Sequence, residues 1–296
     1  MRVILTGATG FIGKSALQVL LMKGHEVLAL SRKSKPASLS AFGDALHWHC
    51  CDLAIASSWE PVVREFQGDA CLHLAWEGIP DYGFDCSFKN LQLGATLINV
   101  LANLGCKRFV ISGSCWEYGK VSGLVREEMD SVEPGIFAAS KNALRVLAEA
   151  LCRASGASLA WGRVFYPYGP TQKSVSLLPT VCRAIAEGQP LSLRTPAAAN
   201  DFLYVDDTAD ALVFLLEKNV HGIYNIGSGK PEAVGKMADM LLRFAGKSPV
   251  FHLTEVTAAN GFWADISKLK ALGWQQRTSL EQGLQRTHDF FLLGQC

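Results

Sequence analysis

Three glycines near the start of the chain have a spacing that suits phosphate binding. Gly7, Gly10 and Gly13 recur at every third residue. The apolar run Val3–Leu5 precedes them, and apolar residues at helical spacing continue over Phe11–Met22. A strand, a glycine turn and a helix in this order bring free N–H groups and the positive end of a helix dipole to an anion. The pattern predicts a site for the pyrophosphate of a dinucleotide, and an ordinary glycine-rich turn is the alternative.

The predicted end of the second strand offers a hydroxyl group and two cations. Ser31, Arg32 and Lys33 stand there, and none of them is acidic. An acidic residue would accept hydrogen bonds from the adenosine ribose and favour NAD, whereas a hydroxyl and two cations suit a 2′-phosphate. We therefore expect NADP(H) as the preferred cofactor and NAD(H) as the alternative. A solvated basic loop without a ligand is the competing interpretation.

These groups need a scaffold, and the sequence predicts one in which strands and helices alternate. The predicted strands are Val3–Leu5, Glu26–Ser31, Ala45–Cys51, Ala70–Ala75, Arg108–Ser112 and Ser158–Phe165. The predicted helices are Phe11–Met22, Trp59–Gln67, Cys86–Leu104 and Ala138–Ser155. Repeated βα units imply an α/β protein with a Rossmann-like, doubly wound parallel sheet.

The texture of the sequence changes after the run Tyr166–Pro170. Segments become shorter, and prolines and glycines interrupt them more often. We therefore predict an NADP(H)-binding Rossmann domain over residues 1–166 and a smaller C-terminal α/β substrate-binding region over residues 167–296. Thr278 and Glu281 have the spacing of a capping box, which predicts that the last helix begins there.

Composition and charge exclude several classes of partner. The 296 residues are 49% hydrophobic and have a net charge of +1, so we expect no nucleic-acid partner. The longest apolar runs are far too short to cross a membrane, and we expect no signal peptide because the first predicted strand begins at once. Nine cysteines without a Cys-x-x-Cys pair are expected to be reduced thiols of a cytoplasmic protein. His47 and His49 lack a third ligand at suitable spacing, so no metal site is predicted.

Further motifs are distributed along nearly the whole chain. They are Thr6–Gly13, Cys51–Leu53, His73–Ala75, Asn90, Arg163–Pro170, Asp201–Asp207, Tyr224–Gly229 and Ala264–Trp274. In these segments the chain resembles the extended short-chain dehydrogenase/reductases, in particular their nucleotide-sugar epimerases, dehydratases and reductases. The resemblance implies a nucleotide-sugar substrate, and a homodimer formed through the helices Cys86–Leu104 and Ala138–Ser155.

The resemblance also implies which residues bind the cofactor. Asp52 and Leu53 would meet the adenine edge, and Lys141 the nicotinamide ribose. Phe165 and Pro167 would shape the nicotinamide pocket. The full set of predicted cofactor contacts is Gly7, Thr9, Gly10, Phe11, Ile12, Gly13, Ser31, Arg32, Lys33, Asp52, Leu53, Leu74, Ala75, Lys141, Phe165 and Pro167.

The catalytic groups of this family are a Ser or Thr and, on one helix, a Tyr-x-x-x-Lys pair. Ser114 fits the first and Lys141 the last, but Phe137 stands in the place of the tyrosine. In the family the lysine lowers the pKa of the phenol, which exchanges a proton with the sugar while the nicotinamide gives or takes a hydride. Phenylalanine has no proton to give. Because such proton transfer contributes a factor of about 10²–10⁴, we expect the chain to be slow or inactive in the usual mechanism.

Three interpretations of Phe137 stay open at this point. In the first, an engineered change replaced the tyrosine in order to trap a complex. In the second, a natural enzyme recruits another proton donor, with Tyr118, Tyr166 or a water molecule as the candidates. In the third, the chain is a non-catalytic NADP(H)-binding protein.

Departures from the family pattern reduce the number of reactions that we expect of this chain. Cys115 and Trp116 occupy the positions of the Asp-Glu pair that 4,6-dehydratases of the family use, so dehydration is not expected. The cations at the end of strand two favour NADPH-dependent reduction of a nucleotide-activated 4-keto sugar, and an NAD-dependent nucleotide-sugar 4-epimerase is the alternative. Tyr166 and Asn200 replace a sugar-facing Asn and a diphosphate-binding Arg of the family. The predicted substrate contacts are Trp76, Ser114, Cys115, Tyr166 and Asn200.

Overall fold

The computed structural model of the protein describes residues 1–253 and 261–294. Its strands are β1 (Arg2–Thr6), β2 (Glu26–Ser31), β3 (Leu46–Cys50), β4 (Ala70–His73), β5 (Arg108–Ser114), β6 (Gly123–Val125), β7 (Ser158–Val164), β8 (Pro167–Tyr168), β9 (Ala199–Asp201), β10 (Leu203–Tyr204), β11 (Gly222–Ile226), β12 (Pro231–Ala233) and β13 (Gly261–Ala264). Its helices are α1 (Phe11–Met22), α2 (Glu60–Phe66), α3 (Phe84–Asn103), α4 (Ile136–Ser155), α5 (Leu177–Ala186), α6 (Val205–Lys218), α7 (Val234–Phe244), α8 (Ser267–Ala271) and α9 (Leu280–Leu292).

Seven of these strands form one parallel sheet in the order β11-β7-β5-β4-β1-β2-β3. On β1, Ile4 pairs with Leu28 on one side and with Cys71 on the other, and all three side chains are buried. Such apolar strands are typical of a parallel sheet covered by helices on both faces. The strand order reverses between β1 and β4, which is the point beyond which ligands bind in such folds. The prediction of a Rossmann-like α/β fold is confirmed.

The contacts divide the chain into two units that interleave along the sequence. Unit 1 consists of Met1–Lys120, Asp130–Arg163 and Ala209–Tyr224. Unit 2 consists of Val121–Met129, Val164–Thr208 and Asn225–Cys296 and contains a second sheet in the order β12-β9-β13-β6. The predicted division of function between residues 1–166 and 167–296 stays a prediction.

Several of the cysteines are free thiols that lie buried, among them Cys71, Cys106, Cys152 and Cys182. Within the described ranges, no helix combines the length and the apolar character needed to cross a membrane. In the same ranges, no cluster of three His, Cys, Asp or Glu side chains is placed to hold a metal ion.

Helix α3 begins two residues earlier than the pattern indicated. Gly83 is extended at its N-cap, and the Asp81 carboxylate accepts a hydrogen bond from the Gly83 N–H at 2.8 Å. Asn90 lies inside this helix and is buried. Its side-chain oxygen accepts from the backbone N–H of Glu77 at 2.7 Å, and its amide nitrogen donates to the Glu77 carbonyl at 3.2 Å.

Three other helix starts also differ from the predictions. Helix α2 begins at Glu60 instead of Trp59. Helix α4 begins at Ile136 instead of Ala138, so Phe137 belongs to its first turn. The predicted capping box of the last helix was wrong by one residue. The Ser279 hydroxyl accepts from the Gln282 N–H at 3.2 Å, and the Gln282 side chain accepts from the Ser279 N–H at 3.0 Å. The Thr-x-x-Glu pattern and the box that forms overlap, and the sequence alone does not separate them.

Candidate active site

The glycine turn between β1 and α1 leaves no room for a side chain at Gly7 or at Gly13. Gly7 has a φ of 76°, and a Cβ on it would lie 2.8 Å from the backbone nitrogen of Ala75. A Cβ on Gly13 would overlap the Gly7 carbonyl oxygen, which accepts from the Gly10 N–H at 2.8 Å. Helix α1 has no acidic residue in its first turn, so its positive end suits a phosphate group. The remaining predicted contacts of this turn lie in it or at the start of α1, namely Thr9, Phe11 and Ile12.

A buried hydrogen-bond chain joins the ends of β1 and β4. The Thr6 hydroxyl lies 2.7 Å from Nδ1 of His73 and accepts from the Ala75 N–H at 3.2 Å. Leu74 donates its N–H to the Thr6 carbonyl at 3.3 Å. Burial lowers the pKa of His73 to about 3, so the ring is neutral at neutral pH and Nδ1 can accept the threonine proton. The predicted contacts Leu74 and Ala75 are thereby held against the glycine turn.

The cations at the end of β2 have a neighbour that the sequence analysis missed. Arg32 Nη1 lies 3.0 Å from Oε1 of Glu77, and Lys89 Nζ lies 3.0 Å from Oε2 of the same carboxylate. The Ser31 hydroxyl accepts from the Lys33 N–H at 3.1 Å. A 2′-phosphate at this strand end would thus compete with Glu77 for Arg32. No spacing in the sequence signals this pair, because its members are 45 residues apart on different strand ends.

The predicted adenine contacts lie in the loop that follows β3. The Asp52 carboxylate accepts from the Ala54 N–H at 2.9 Å, and the Leu53 carbonyl accepts from the Trp59 indole N–H at 3.3 Å. Trp59 is fully buried, so it anchors this loop in the core of unit 1. The loop is fixed in place, and its contact with adenine stays a prediction.

Ser114 ends β5 and caps the short helical turn that follows. Its hydroxyl accepts from the Trp116 N–H at 3.2 Å, while the Glu117 carboxylate accepts from the Ser114 N–H at 2.7 Å. This is the reciprocal arrangement of a capping box. A hydroxyl that accepts in this way retains its own proton as a donor, so Ser114 is equipped to bind a carbonyl oxygen.

Glu117 is a second residue that the sequence analysis missed, although the Ser-x-x-Glu spacing was a signal for it. Its carboxylate is fully buried, lies 3.1 Å from Nε of Arg163 and accepts from the Trp161 indole N–H at 2.9 Å. Burial raises the pKa of Glu117, and the nearby Arg163 guanidinium opposes that rise. Three groups, namely the Ser114 N–H, the Trp161 indole and the Arg163 guanidinium, therefore hold the Glu117 carboxylate behind Ser114.

Lys141 points to the carboxyl end of β5. Its Nζ donates to the Ser112 carbonyl at 2.7 Å and lies 4.0 Å from the centroid of the Trp76 ring. Burial lowers the pKa of Lys141 to about 8, and the Glu117 carboxylate works in the opposite direction. Phe137 lies one turn earlier on α4, as the Tyr-x-x-x-Lys register requires.

Phe137 is enclosed by three other aromatic side chains. Its ring centroid lies 5.3 Å from that of Trp76, 5.2 Å from that of Tyr82 and 5.9 Å from that of Trp116. We call these four residues the aromatic cluster. Tyr82 was not among the predicted site residues, since it lies in an aperiodic loop. The indole nitrogen of Trp76 is buried without a hydrogen-bond partner among the described residues, which suits a ligand that brings an acceptor.

Two of the predicted residues are buried inside unit 1. Tyr118 is 0% exposed, and its ring lies 4.2 Å from the guanidinium carbon of Arg163. It therefore cannot reach a sugar, and its prediction as a replacement proton donor was wrong. Cys115 is 3% exposed, so its side chain packs inside unit 1, and its contact with substrate stays a prediction.

The remaining predicted residues belong to unit 2. Phe165 donates its N–H to the Ile226 carbonyl at 2.9 Å, and Pro167 begins β8. Asn200 is the central residue of β9, and the Tyr166 carbonyl accepts from the Leu203 N–H at 3.2 Å. Their roles toward cofactor or substrate stay predictions.

Unit 2 also contains a cavity of about 660 Å³. Its floor includes the buried rings of Phe202 and Trp274, and Lys230, Lys270 and Arg277 contribute positive charge to its wall. None of these residues was predicted as a site residue.

Comparison with known proteins gives one family and full-length relatives. Residues 3–227 match the model of the NAD dependent epimerase/dehydratase family. The chain is 24% identical over 310 residues to UDP-glucuronate 4-epimerase of Thermodesulfobacterium geofontis, covering 96% of this chain and 94% of that protein. It is 25% identical over 307 residues to dTDP-4-dehydro-6-deoxyglucose reductase of Escherichia coli, covering 96% and 95%.

A solved structure shows the same fold over the whole chain. It is a tyrosine-to-phenylalanine mutant of UDP-glucuronic acid 4-epimerase from Bacillus cereus, in complex with UDP-4-deoxy-4-fluoro-glucuronic acid and NAD. The TM-score is 0.84 at 23% identity, and the match covers 99% of each chain.

Proposed function

Because the chain belongs to the NAD-dependent epimerase/dehydratase family, we propose that it is an NADPH-dependent reductase of a nucleotide-activated 4-keto sugar. Relatives along nearly its whole length are, by name, an epimerase and a reductase of nucleotide-activated sugars. One observation carries the proposal. The buried Lys141 of α4 donates to the carbonyl of Ser112 on β5, the strand that Ser114 ends, and position 137 lies one turn before Lys141 on the same helix.

In the proposed mechanism the residues of unit 1 hold both reactants. The backbone N–H groups of the glycine turn bind the pyrophosphate, and Lys141 binds the hydroxyls of the nicotinamide ribose. Ser114 donates its hydroxyl proton in a hydrogen bond to the carbonyl oxygen of the sugar. The cofactor, when bound, supplies the hydride for the carbonyl carbon. The capping box of Ser114 and Glu117 keeps that hydroxyl in position throughout.

The side chain at position 137 favours net reduction over epimerisation. An epimerase must first remove a proton from a sugar hydroxyl and later return it, so it needs a group that accepts as well as donates. Phe137 does neither. Reduction needs only a donor at the carbonyl oxygen, which another hydroxyl or a water molecule can supply.

The preference for NADPH rests on Ser31, Arg32 and Lys33. Glu77 weakens this support because its carboxylate already binds Arg32. NAD(H) is the alternative cofactor, and the Bacillus cereus epimerase was solved with NAD. In that mutant a phenylalanine coexists with bound cofactor and bound nucleotide sugar, as we expect for this chain, since one hydroxyl contributes only about 1 kcal/mol to binding.

We further propose a cytoplasmic homodimer formed through α3 and α4. These helices expose large apolar side chains, among them Phe84 and Phe88 on α3 and Val146 and Leu147 on α4. Exposed apolar patches of this kind mark interaction surfaces. Leu147→Glu should convert the dimer into a monomer in light scattering, and a wild-type protein that is already monomeric would refute this proposal.

Purified protein tests the reaction directly. NADPH oxidation is followed at 340 nm with UDP- and dTDP-activated 4-keto sugars, for the wild type and for Phe137→Tyr. Consumption of NADPH supports the reductase. The 4-epimerase alternative predicts instead that denatured protein releases NAD without added nucleotide. If both proteins bind NADPH but neither turns over any nucleotide sugar, the chain is a non-catalytic NADP(H)-binding protein.

A further inference from the structure

The proposed reduction lacks a proton donor on α4. A carbonyl group that gains a hydride at carbon must gain a proton at oxygen, and Phe137 has none to give. The buried ammonium of Lys141 already donates to the Ser112 carbonyl. Another acidic hydroxyl must therefore lie close to position 137 if the chain is to work faster than bare solvent allows.

Unit 1 contains three phenols, at Tyr82, Tyr118 and Tyr224. Tyr118 is fully buried against Arg163. The hydroxyl of Tyr224 donates to the His221 carbonyl at 3.3 Å. Tyr82 is partly exposed, and its ring packs edge-on against Phe137 at 5.2 Å and against Trp116 at 4.9 Å. It is the phenol of unit 1 that adjoins the position of the missing tyrosine.

We propose that Tyr82 is the catalytic proton donor that replaces the tyrosine absent from position 137. This inference rests on the proposed reduction. The carbonyl carbon receives the hydride of the reduced cofactor, and the π electrons of the C=O bond move to the oxygen. That oxygen takes the proton of the Tyr82 hydroxyl, and the resulting phenolate recovers a proton from water, to which the half-buried side chain has access.

The loop that carries Tyr82 is held from both sides. Asp81 donates its N–H to the Gly78 carbonyl at 2.8 Å, and its carboxylate accepts from the Gly83 N–H at 2.8 Å. Burial raises the pKa of Tyr82, so the phenol is protonated at neutral pH. It therefore carries the proton that the reductive direction requires.

Four proteins test this inference: the wild type, Tyr82→Phe, Phe137→Tyr and the double variant. Tyr82→Phe keeps the ring and should lower kcat by about 100-fold, with KM changed far less. Adding Phe137→Tyr should rescue the Tyr82→Phe enzyme at least tenfold, because it restores a phenol on α4. Full activity of Tyr82→Phe overturns the inference.

The same set separates this inference from the proposed function. Activity in Phe137→Tyr with none in the wild type overturns the role of Tyr82 and leaves the reductase standing. If all four proteins bind NADPH and none consumes it with a nucleotide keto sugar, the proposed function fails, and the role of Tyr82 fails with it.

A measurement without turnover examines the placement of Tyr82. Tyrosinate absorbance at 295 nm is titrated with pH, and the Tyr82→Phe curve is subtracted from that of the wild type. Saturating NADP⁺, verified by quenching of tryptophan fluorescence, should lower the pKa of this phenol because a positive nicotinamide ring lies beside it. An unchanged difference curve in cofactor-bound protein would place the phenol away from the ring and overturn the inference.

Discussion

The Lys141 ammonium and the Trp76 indole form a cation–π contact, with Nζ 4.0 Å from the ring centroid. The lysine donates to the Ser112 carbonyl and is buried. Burial lowers its pKa to about 8, although the Glu117 carboxylate acts in the opposite direction. The ring face therefore stabilises a charge that would otherwise be lost just above neutral pH.

Replacing Trp76 should shift the alkaline limit of activity. Trp76→Leu removes the ring face, and the pKa of Lys141 should fall by about 1.5 units, since a desolvated cation–π contact contributes about 2 kcal/mol. The pH profile of kcat/KM, and a lysine ¹³C NMR titration of the protein without ligands, would both report the shift. Trp76→Phe retains a π face and should shift the profile less. Identical profiles for the two variants would contradict a cation–π role.

Arg32→Asp should reverse the cofactor preference. The change removes a cation from the predicted 2′-phosphate site and adds a carboxylate suited to ribose hydroxyls. The ratio of the Kd for NADPH to the Kd for NADH, measured by fluorescence, should rise at least tenfold, which corresponds to about 1.4 kcal/mol. Lys89→Ala breaks the other ion pair of Glu77 and serves as the control. An unchanged ratio in Arg32→Asp would refute the NADP(H) preference.

Gly13→Ala should disrupt the turn that holds the pyrophosphate. Its new Cβ overlaps the Gly7 carbonyl oxygen, and overpacking of this kind destabilises a protein by about 1–3 kcal/mol. Binding of NAD(P)H should be lost, as judged by calorimetry. Gly135→Ala is the matched control because a Cβ there meets no atom within 4 Å. Equal cofactor binding by the two variants would show that the turn does not hold the cofactor.

Arg163→Met should destabilise unit 1 severely. It leaves the Glu117 carboxylate as a buried charge without its cation, which costs about 3–5 kcal/mol. Adding Glu117→Gln should restore part of the unfolding free energy, since the charge is then removed. The exposed pair of Lys120 and Glu133, 2.6 Å apart, is the comparison: Lys120→Met should cost less than about 1 kcal/mol. Urea denaturation gives the unfolding free energy of the wild type and of the three variants. Similar losses of unfolding free energy in Arg163→Met and Lys120→Met would be evidence against a buried pair.

Acid should destabilise the protein through His73. Its pKa in the folded protein is about 3, against an ordinary value of 6.5. Between pH 3 and pH 6.5 this histidine is protonated in the unfolded chain but neutral in the folded protein. The unfolding free energy therefore decreases by up to about 1.4 kcal/mol for each unit by which the pH is lowered. Urea denaturation at pH 6.5 and pH 4.5 should therefore show a smaller loss in His73→Gln than in wild type. His221→Gln, at an exposed position, should behave as wild type does.

The sequence was sufficient for the scaffold because apolar periodicity marks its elements. Helix α1 has the predicted bounds, Phe11–Met22, and β2 has the predicted bounds, Glu26–Ser31. The N-termini of helices were harder to predict where local capping interactions determine them. The turn bond between Asp81 and Gly83 advances α3, and two overlapping capping patterns compete before α9.

The candidate site was predictable where motif spacing coincides with a regular element. Lys141, Phe137 and Ser114 lie on α4 and at the end of β5, as their register indicated. Glu77 and Tyr82 belong to an aperiodic segment after β4, and only tertiary contacts bring them to Arg32 and Phe137. The burial of the Tyr118 ring against Arg163 could not be predicted, because the sequence pattern around Tyr118 does not indicate this contact.

The side chain of Asn90 binds both the backbone N–H and the backbone carbonyl of Glu77, as a neighbouring strand would, at the point where the chain leaves the sheet. The backbone of that segment is thus held by the side chains of Asn90 and Asp81, and neither the Trp76 nor the Tyr82 ring is among these hydrogen bonds. Substitutions at Trp76 and Tyr82 can therefore alter the chemistry at this edge of the sheet while the backbone of the loop keeps its course.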